Sequence, residues 1–261
     1  MAAVTIKQSF RTALPSYQNP IGVGDTHISG STTLNTDPPR FFVGVSHEAW
    51  VRLGLQREHI SLQENAMWHL SEGDVVRAAA MYLLHPINQA LSAIPDFASS
   101  IRCLSEQTTN GVRGDIAFNR LRSNERRCFA VVEFKKRGII DDNEFRRAAR
   151  TITRTSVAQH VQDAMNMRER TFFQDNSVKL MKQAAAYAIR NRTRYVALFN
   201  WDHLVLIRFL GLDPRLSLKT LIGNGVGDYC EISMIKYDTG SHIMRAALLG
   251  FLVEAYQQTP W

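Results

Sequence analysis

Asp115, Glu133 and Lys135 are the residues whose types and spacing could do chemistry together in this chain. Glu133 and Lys135 lie near the end of the run C-F-A-V-V-E-F-K-K, residues 128–136, whose β-branched and aromatic content reads as a buried strand. Residues two apart share a strand face, so this carboxylate and ammonium project together while Val132 and Phe134 face the other way. Burying such charges is costly unless they pair with each other, a metal or a ligand. Asp115 opens the preceding expected strand, 113–120. Strands joined by a hairpin are sheet neighbours, so Asp115 is expected to approach Glu133 across the ladder. Two carboxylates that close repel unless a cation sits between them. Hard oxygen ligands suit Mg²⁺ or Mn²⁺, which polarises a phosphoryl oxygen and lowers the pKa of bound water. Lys135 would position or deprotonate the attacking water, or stabilise the pentavalent charge. The alternative is a structural ion pair between Glu133 and Lys135.

The elements that must position these residues follow from local patterns. A helix is expected over 71–91, with Ser71 as N-cap, Glu72 and Asp74 in the first turn, and Pro86 kinking or ending it. Strands are expected at 101–108 and 113–120, with Asn110-Gly111 as the turn between them. Residues 121–127 read as a polar hairpin turn into 128–136. The stretch 142–170 reads as helical and highly charged, and 175–192 as a second helix with Val178, Met181, Ala185 and Ile189 on its core stripe. A hairpin, 195–199 and 203–209, is expected around Asn200-Trp201-Asp202, with Trp201 at the tip or in the core. A last strand at 232–237 and an amphipathic helix at 241–257 close the chain. Residues 1–45 are rich in turn formers and read as an irregular N-terminal arm, with a short strand at 41–45. Residues 46–70 show short helical patches, and 46–261 reads as a single domain. The succession is an α/β arrangement without internal repeats.

Several tempting features carry less. Gly223-Asn-Gly-Val-Gly227 reads as a turn rather than a phosphate loop, and Asp141-Asp142 as a helix N-terminus. His160, His203 and His242 lack paired metal-ligand spacing. Three cysteines without metal-ligand spacing argue against a disulfide framework or a zinc site and favour a reducing, intracellular location. No apolar run approaches the ~20 residues of a membrane span, and no signal peptide is visible.

The 261 residues are 45% apolar and 21% charged, ordinary for a globular chain with a substantial core, and carry a net charge of +7. Residues 120–154 hold eleven Lys/Arg against five Asp/Glu, nearly the whole excess. This cluster includes Arg126, Arg127, Lys136, Arg137, Arg146, Arg147 and Arg150. It surrounds the proposed site in sequence and is suited to a salt-sensitive, sequence-independent grip on nucleic-acid phosphates. A solvated helix face is the plainer account of the same charges.

Asp, then Glu-x-Lys on the next strand, resembles the PD-(D/E)XK nuclease superfamily. Gln183-Ala-Ala-Ala-Tyr187, with Gln183 and Tyr187 on one helix face, is similar to the Q-x-x-x-Y motif of its RecB-like branch. The resemblance covers about 71–210. It implies a restriction-endonuclease-like core of order α-β-β-β-α-β, a central mixed sheet flanked by helices, with 142–170 as a helical insertion that could bind substrate or serve as an oligomerisation arm. It further implies a Mg²⁺- or Mn²⁺-dependent nuclease acting on DNA. Asp115 and Glu133, with the backbone carbonyl of Phe134, would be metal ligands, and Glu72 a further ligand with Asp74 as the fallback. Lys135 would be the catalytic lysine. Gln183 would position the water, the lysine or a phosphate, and Tyr187 would support it or contact the strand. Two departures stand out: Gly114 replaces the usual proline before the first Asp, and the segment between Lys135 and Gln183 is long. A non-catalytic binding or interaction module on the same fold is the alternative.

Overall fold

A computed structural model describes residues 4–18, 40–41, 59–60, 67–68, 71–109, 112–122, 125–148, 157–168, 170–227 and 230–259. Its centre is a mixed sheet of six long strands, β1 (Ile101–Thr109), β2 (Val112–Arg122), β3 (Glu125–Phe134), β4 (Tyr195–Phe199), β5 (His203–Phe209) and β6 (Cys230–Lys236). Strands β1, β2 and β3 form an antiparallel meander. Strand β4 lies parallel to β3, and β5 and β6 continue antiparallel. The two-residue strand Arg40–Phe41 adds in parallel to the outer edge of β6; the rest of the short strand expected at 41–45 lies outside the described residues, as do most of residues 46–70.

Between β3 and β4 the chain passes through α-helices at Asp142–Arg146, Val157–Met165 and Asp175–Asn191. A parallel neighbour requires a crossover of this kind. The sheet is covered on both faces, and its strands are correspondingly buried: β4 is buried along its whole length. Val132, Phe134, Ala197 and Phe199 join one core with the N-terminal and C-terminal helices. Val131, Val196, Leu198 and Ile207 join a second core with Leu180, Met181, Ala184 and Ala188 of the Asp175–Asn191 helix. Among the described residues no helix is long and apolar enough to cross a membrane.

Several elements differ from the sequence reading. The hairpin after β2 is tighter than a polar loop over 121–127: β2 runs to Arg122, β3 starts at Glu125, and Arg126 and Arg127 pair with Leu121 and Arg120. The 142–170 stretch is not one helix. Asp142–Arg146 ends in a turn at residues 147–148, and Val157–Met165 is separate. The Met244–Gln258 helix is a core element buried on nearly every side rather than amphipathic.

The first residues are also more ordered than an irregular arm. Ile6–Arg11 is a helix with a Thr5/Gln8 capping box. Phe10 and Leu14 are buried. The indole of Trp201 donates to the Pro15 carbonyl at 3.2 Å, and the Tyr237 hydroxyl to that of Leu14 at 2.8 Å. Trp201, fully buried at the β4–β5 turn, is thus both hairpin residue and anchor.

Pro86 does not end its helix. Glu72–Ala79 continues through a π-helical turn, Ala80–Leu84, into His85–Ser92. Proline has no N–H for the carbonyl four residues back, here Tyr82. Arg245, completely buried in the C-terminal helix, supplies the missing donor: its Nε lies 2.5 Å from the Tyr82 oxygen. The same guanidinium donates to the carbonyls of Ser9 and Thr12 at the end of the first helix, where the helix dipole favours a cation.

Candidate active site

The β2–β3 register pairs Ile116 with Val132, which sets Asp115 opposite Glu133. Regular pairing stops there and the side chains take over. The Phe134 N–H donates to Asp115 Oδ2 at 2.8 Å, and the Asp115 N–H points at Glu133 Oε2 from 3.4 Å. Lys135 lies just past the end of β3. Its N–H still bonds to the Phe199 carbonyl at 2.8 Å, which holds it against β4. This keeps Glu133 and Lys135 on one face, with Lys135 Nζ 2.6 Å from Glu133 Oε1. The Tyr187 hydroxyl donates to the same oxygen at 2.7 Å. Glu133 is 4% exposed and Lys135 7%.

Glu72, the first residue of its helix, stands with Oε2 4.0 Å from Lys135 Nζ. Asp74 is turned away, capping Ser71 and pairing with Arg77. Gln183 is buried one helical turn before Tyr187 on the Asp175–Asn191 helix. The structure therefore gathers Asp115, Glu133, Lys135, Tyr187 and Glu72 in one place and sets Gln183 beside Tyr187.

The charges in this place are strongly coupled. Burial, reinforced by the Asp115 charge, pushes the Glu133 carboxyl up to about 7, against the pull of Lys135 and Tyr187. Glu72 is also raised, by burial and by Asp115, although Lys135 and the Lys136 backbone N–H oppose this. Burial alone would lower Lys135, but the surrounding carboxylates of Glu133, Glu72 and Asp115 hold it above the ordinary lysine value. Burial and the anionic neighbours push the Tyr187 hydroxyl well up, so it stays a donor. Once all three carboxylates are ionised they outnumber the single ammonium by two negative charges, an arrangement that a divalent cation would favour over protons. Among the described residues no three His, Cys, Asp or Glu side chains are arranged as a metal cage.

The basic residues disperse. Lys136 and Arg137 follow the site directly, but Arg137 is held by Asp202, with Nη2 2.8 Å and Nε 3.0 Å from Oδ1. Asp202 also accepts from the Gly138 N–H, and sequence reasoning missed it; its signal was its place at the tip of the hairpin whose first strand runs beside β3. Arg146 is exposed and pairs with Asp142 at 3.3 Å, and Arg147 is exposed. Asp141 caps the helix that begins at Asp142. Arg126 and Arg127 stand at the opposite end of β3, six or more residues from Glu133, or roughly 20 Å along the strand. They do not flank the carboxylates. Arg150 lies outside the described residues. No family model, no curated protein and no solved structure matches this chain.

Proposed function

We propose that the chain is a Mg²⁺- or Mn²⁺-dependent phosphodiesterase acting on nucleic acid, DNA in the first instance, on a restriction-endonuclease-like core. The observation that carries this reading is the convergence of Asp115 and Glu133 across the β2–β3 ladder, with Lys135 on the same face as Glu133 and the carboxylates crowded enough to raise Glu133. The order helix, antiparallel meander, helix, parallel strand supports it. Asp115, Glu133 Oε2 and the Phe134 carbonyl would hold the cation, with Glu72 at its edge. When bound, the cation would supply Lewis acidity and a more acidic water.

The chain's own groups do the rest. Tyr187 and Lys135 both donate to Glu133 Oε1, which turns Oε2 toward Asp115. Lys135, kept charged by its carboxylate neighbours, would face a phosphoryl oxygen as negative charge builds on it. Gln183 would orient water or phosphate one turn from Tyr187. A second reading, a non-catalytic binding module on the same fold, draws on the direct, buried Lys135–Glu133 pair, which satisfies both charges without a ligand.

The test incubates single- and double-stranded DNA with the protein in Mn²⁺, Mg²⁺ or EDTA, beside Glu133→Gln and Lys135→Met. Cleavage should need the cation and fall at least ~100-fold in each folded variant, a general acid–base scale of loss. Cleavage that persists in EDTA or in either variant would defeat the assignment. Absence of cleavage with DNA binding retained would favour the second reading.

A further inference from the structure

The two arginines that stand away from the carboxylates are part of a separate cavity of about 90 Å³, lined by Arg126, Arg127, Cys128, Asn191, Arg192, Pro214 and Thr259. None of these lining residues is acidic. The strand end contributes Arg126 and Arg127, the end of the Asp175–Asn191 helix contributes Asn191 and Arg192, and the chain's C-terminal helix ends at Thr259's doorstep. We infer that this cavity is an oxyanion site for a phosphate group, distinct from the carboxylate cluster.

Arg192 supports this beyond its charge. It terminates its helix with φ of 54°, in the left-handed region where glycine or asparagine is the usual occupant. An arginine there carries steric strain, which is tolerated where the side chain has a task. Its guanidinium is fixed in place by the carbonyls of Pro214, 3.2 Å from Nε, and Arg215, 3.3 Å from Nη2. These acceptors are neutral, so they orient the charge without cancelling it. Of the acids next to the lining residues in sequence, Asp213 is engaged by Arg215 through two side-chain contacts of 3.0 Å, and Glu125 begins β3 across from Arg122. Arg126 sits close enough to Cys128 for its charge to act on the thiol, although burial dominates and pushes that thiol up to about 12. The cysteine is therefore a neutral wall of the cavity and not a competing anion. Guanidinium forks match the oxygen geometry of phosphate, and a volume worth a few waters admits one such group.

A phosphate group can arrive free or as part of a nucleic-acid backbone. The separation of roughly 20 Å from Glu133 along β3 would let one bound strand span both places. The site itself does not depend on the metal-site reading. The test uses the full chain in EDTA, with Glu133→Gln as background, so that loss of the nuclease reading leaves it unaffected. Calorimetric titration with inorganic phosphate in low-salt buffer is compared for the parent, Arg192→Gly and Arg126→Ala. Glycine keeps the left-handed backbone while removing the guanidinium, and Arg126 is exposed, so both variants should fold. Each should weaken phosphate binding at least tenfold. A short single-stranded oligonucleotide weakened in parallel identifies the backbone as the source. An oligonucleotide unaffected while phosphate binding falls identifies a small phosphorylated ligand. Phosphate affinity unchanged in both variants, or absent in the parent, overturns the inference.

Discussion

Replacing Glu133 by glutamine should convert the buried carboxylate's electrostatic cost into a measurable dependence of stability on pH. In the folded chain this carboxyl titrates at about 7 against an ordinary 4.5. A raised acid favours the folded state fully below the unfolded pKa, and that advantage is lost as pH rises through the folded one. The window is therefore pH 4.5 to just above 7. A difference of 2.5 pKa steps at 1.36 kcal/mol each gives a ceiling of about 3 kcal/mol, or roughly 6–12 °C in melting temperature for a chain of this size. Lys135 does not cancel it. Its own raised pKa places its loss of stabilisation above the ordinary 10.5, outside the window, and in the variant it keeps Glu72 at 4.0 Å and Asp115 as anionic neighbours. Urea unfolding of both proteins at pH 4.5, 6 and 8 in EDTA isolates the residue, because all other titrating groups are shared. Parent stability should fall relative to Glu133→Gln by up to ~3 kcal/mol across the window. Saturating Mn²⁺ at pH 8 should restore the parent and leave the variant unchanged. A difference that stays flat with pH would refute the buried, carboxylate-crowded environment on which the site rests.

Tyr187→Phe removes a donor to an ionised oxygen, so it should cost about 1.5–3 kcal/mol at pH 8 and less at pH 5, where Glu133 is protonated. Urea unfolding at the two pH values checks this, and in an active enzyme the acid limb of the pH–rate profile should move upward. Arg245→Met removes the charged donors to the Tyr82, Ser9 and Thr12 carbonyls and should cost several kcal/mol. Pro86→Ala, which returns an N–H to Tyr82, should be more favourable in that background than in the parent by about 1 kcal/mol, as a double-mutant cycle would read it.

Much of the frame follows from local sequence. Alternation in C-F-A-V-V-E-F-K-K puts Glu133 and Lys135 on one face whatever surrounds them, and short connections make β1, β2 and β3 neighbours. The i,i+4 spacing of Gln183 and Tyr187 likewise commits them to one helix face. The Ser71/Asp74 capping box announces its helix from four residues. These are short-range constraints, each settled within one strand, one turn or one hairpin.

Tertiary structure decided what depends on distant chain. The length of the β2–β3 hairpin carried Arg126 and Arg127 to the far end of the sheet, because ladder pairing outweighed the turn propensity of a polar stretch. The Met244–Gln258 helix is apolar on nearly every side in the sequence, and that lack of a polar face already points to burial; packing decided only which elements cover it. Pro86 reads locally as a break, yet Arg245, 163 residues from Tyr82, supplies the donor that lets the helix continue. The Glu133–Lys135 pair shows the same division: its spacing comes from the sequence, whereas its burial, the Tyr187 hydroxyl and the nearness of Asp115 and Glu72 come from packing. Proximity in sequence governs which face a side chain takes. Desolvation and like-charge crowding, which set its chemistry, are sums over neighbours that only the folded chain brings together.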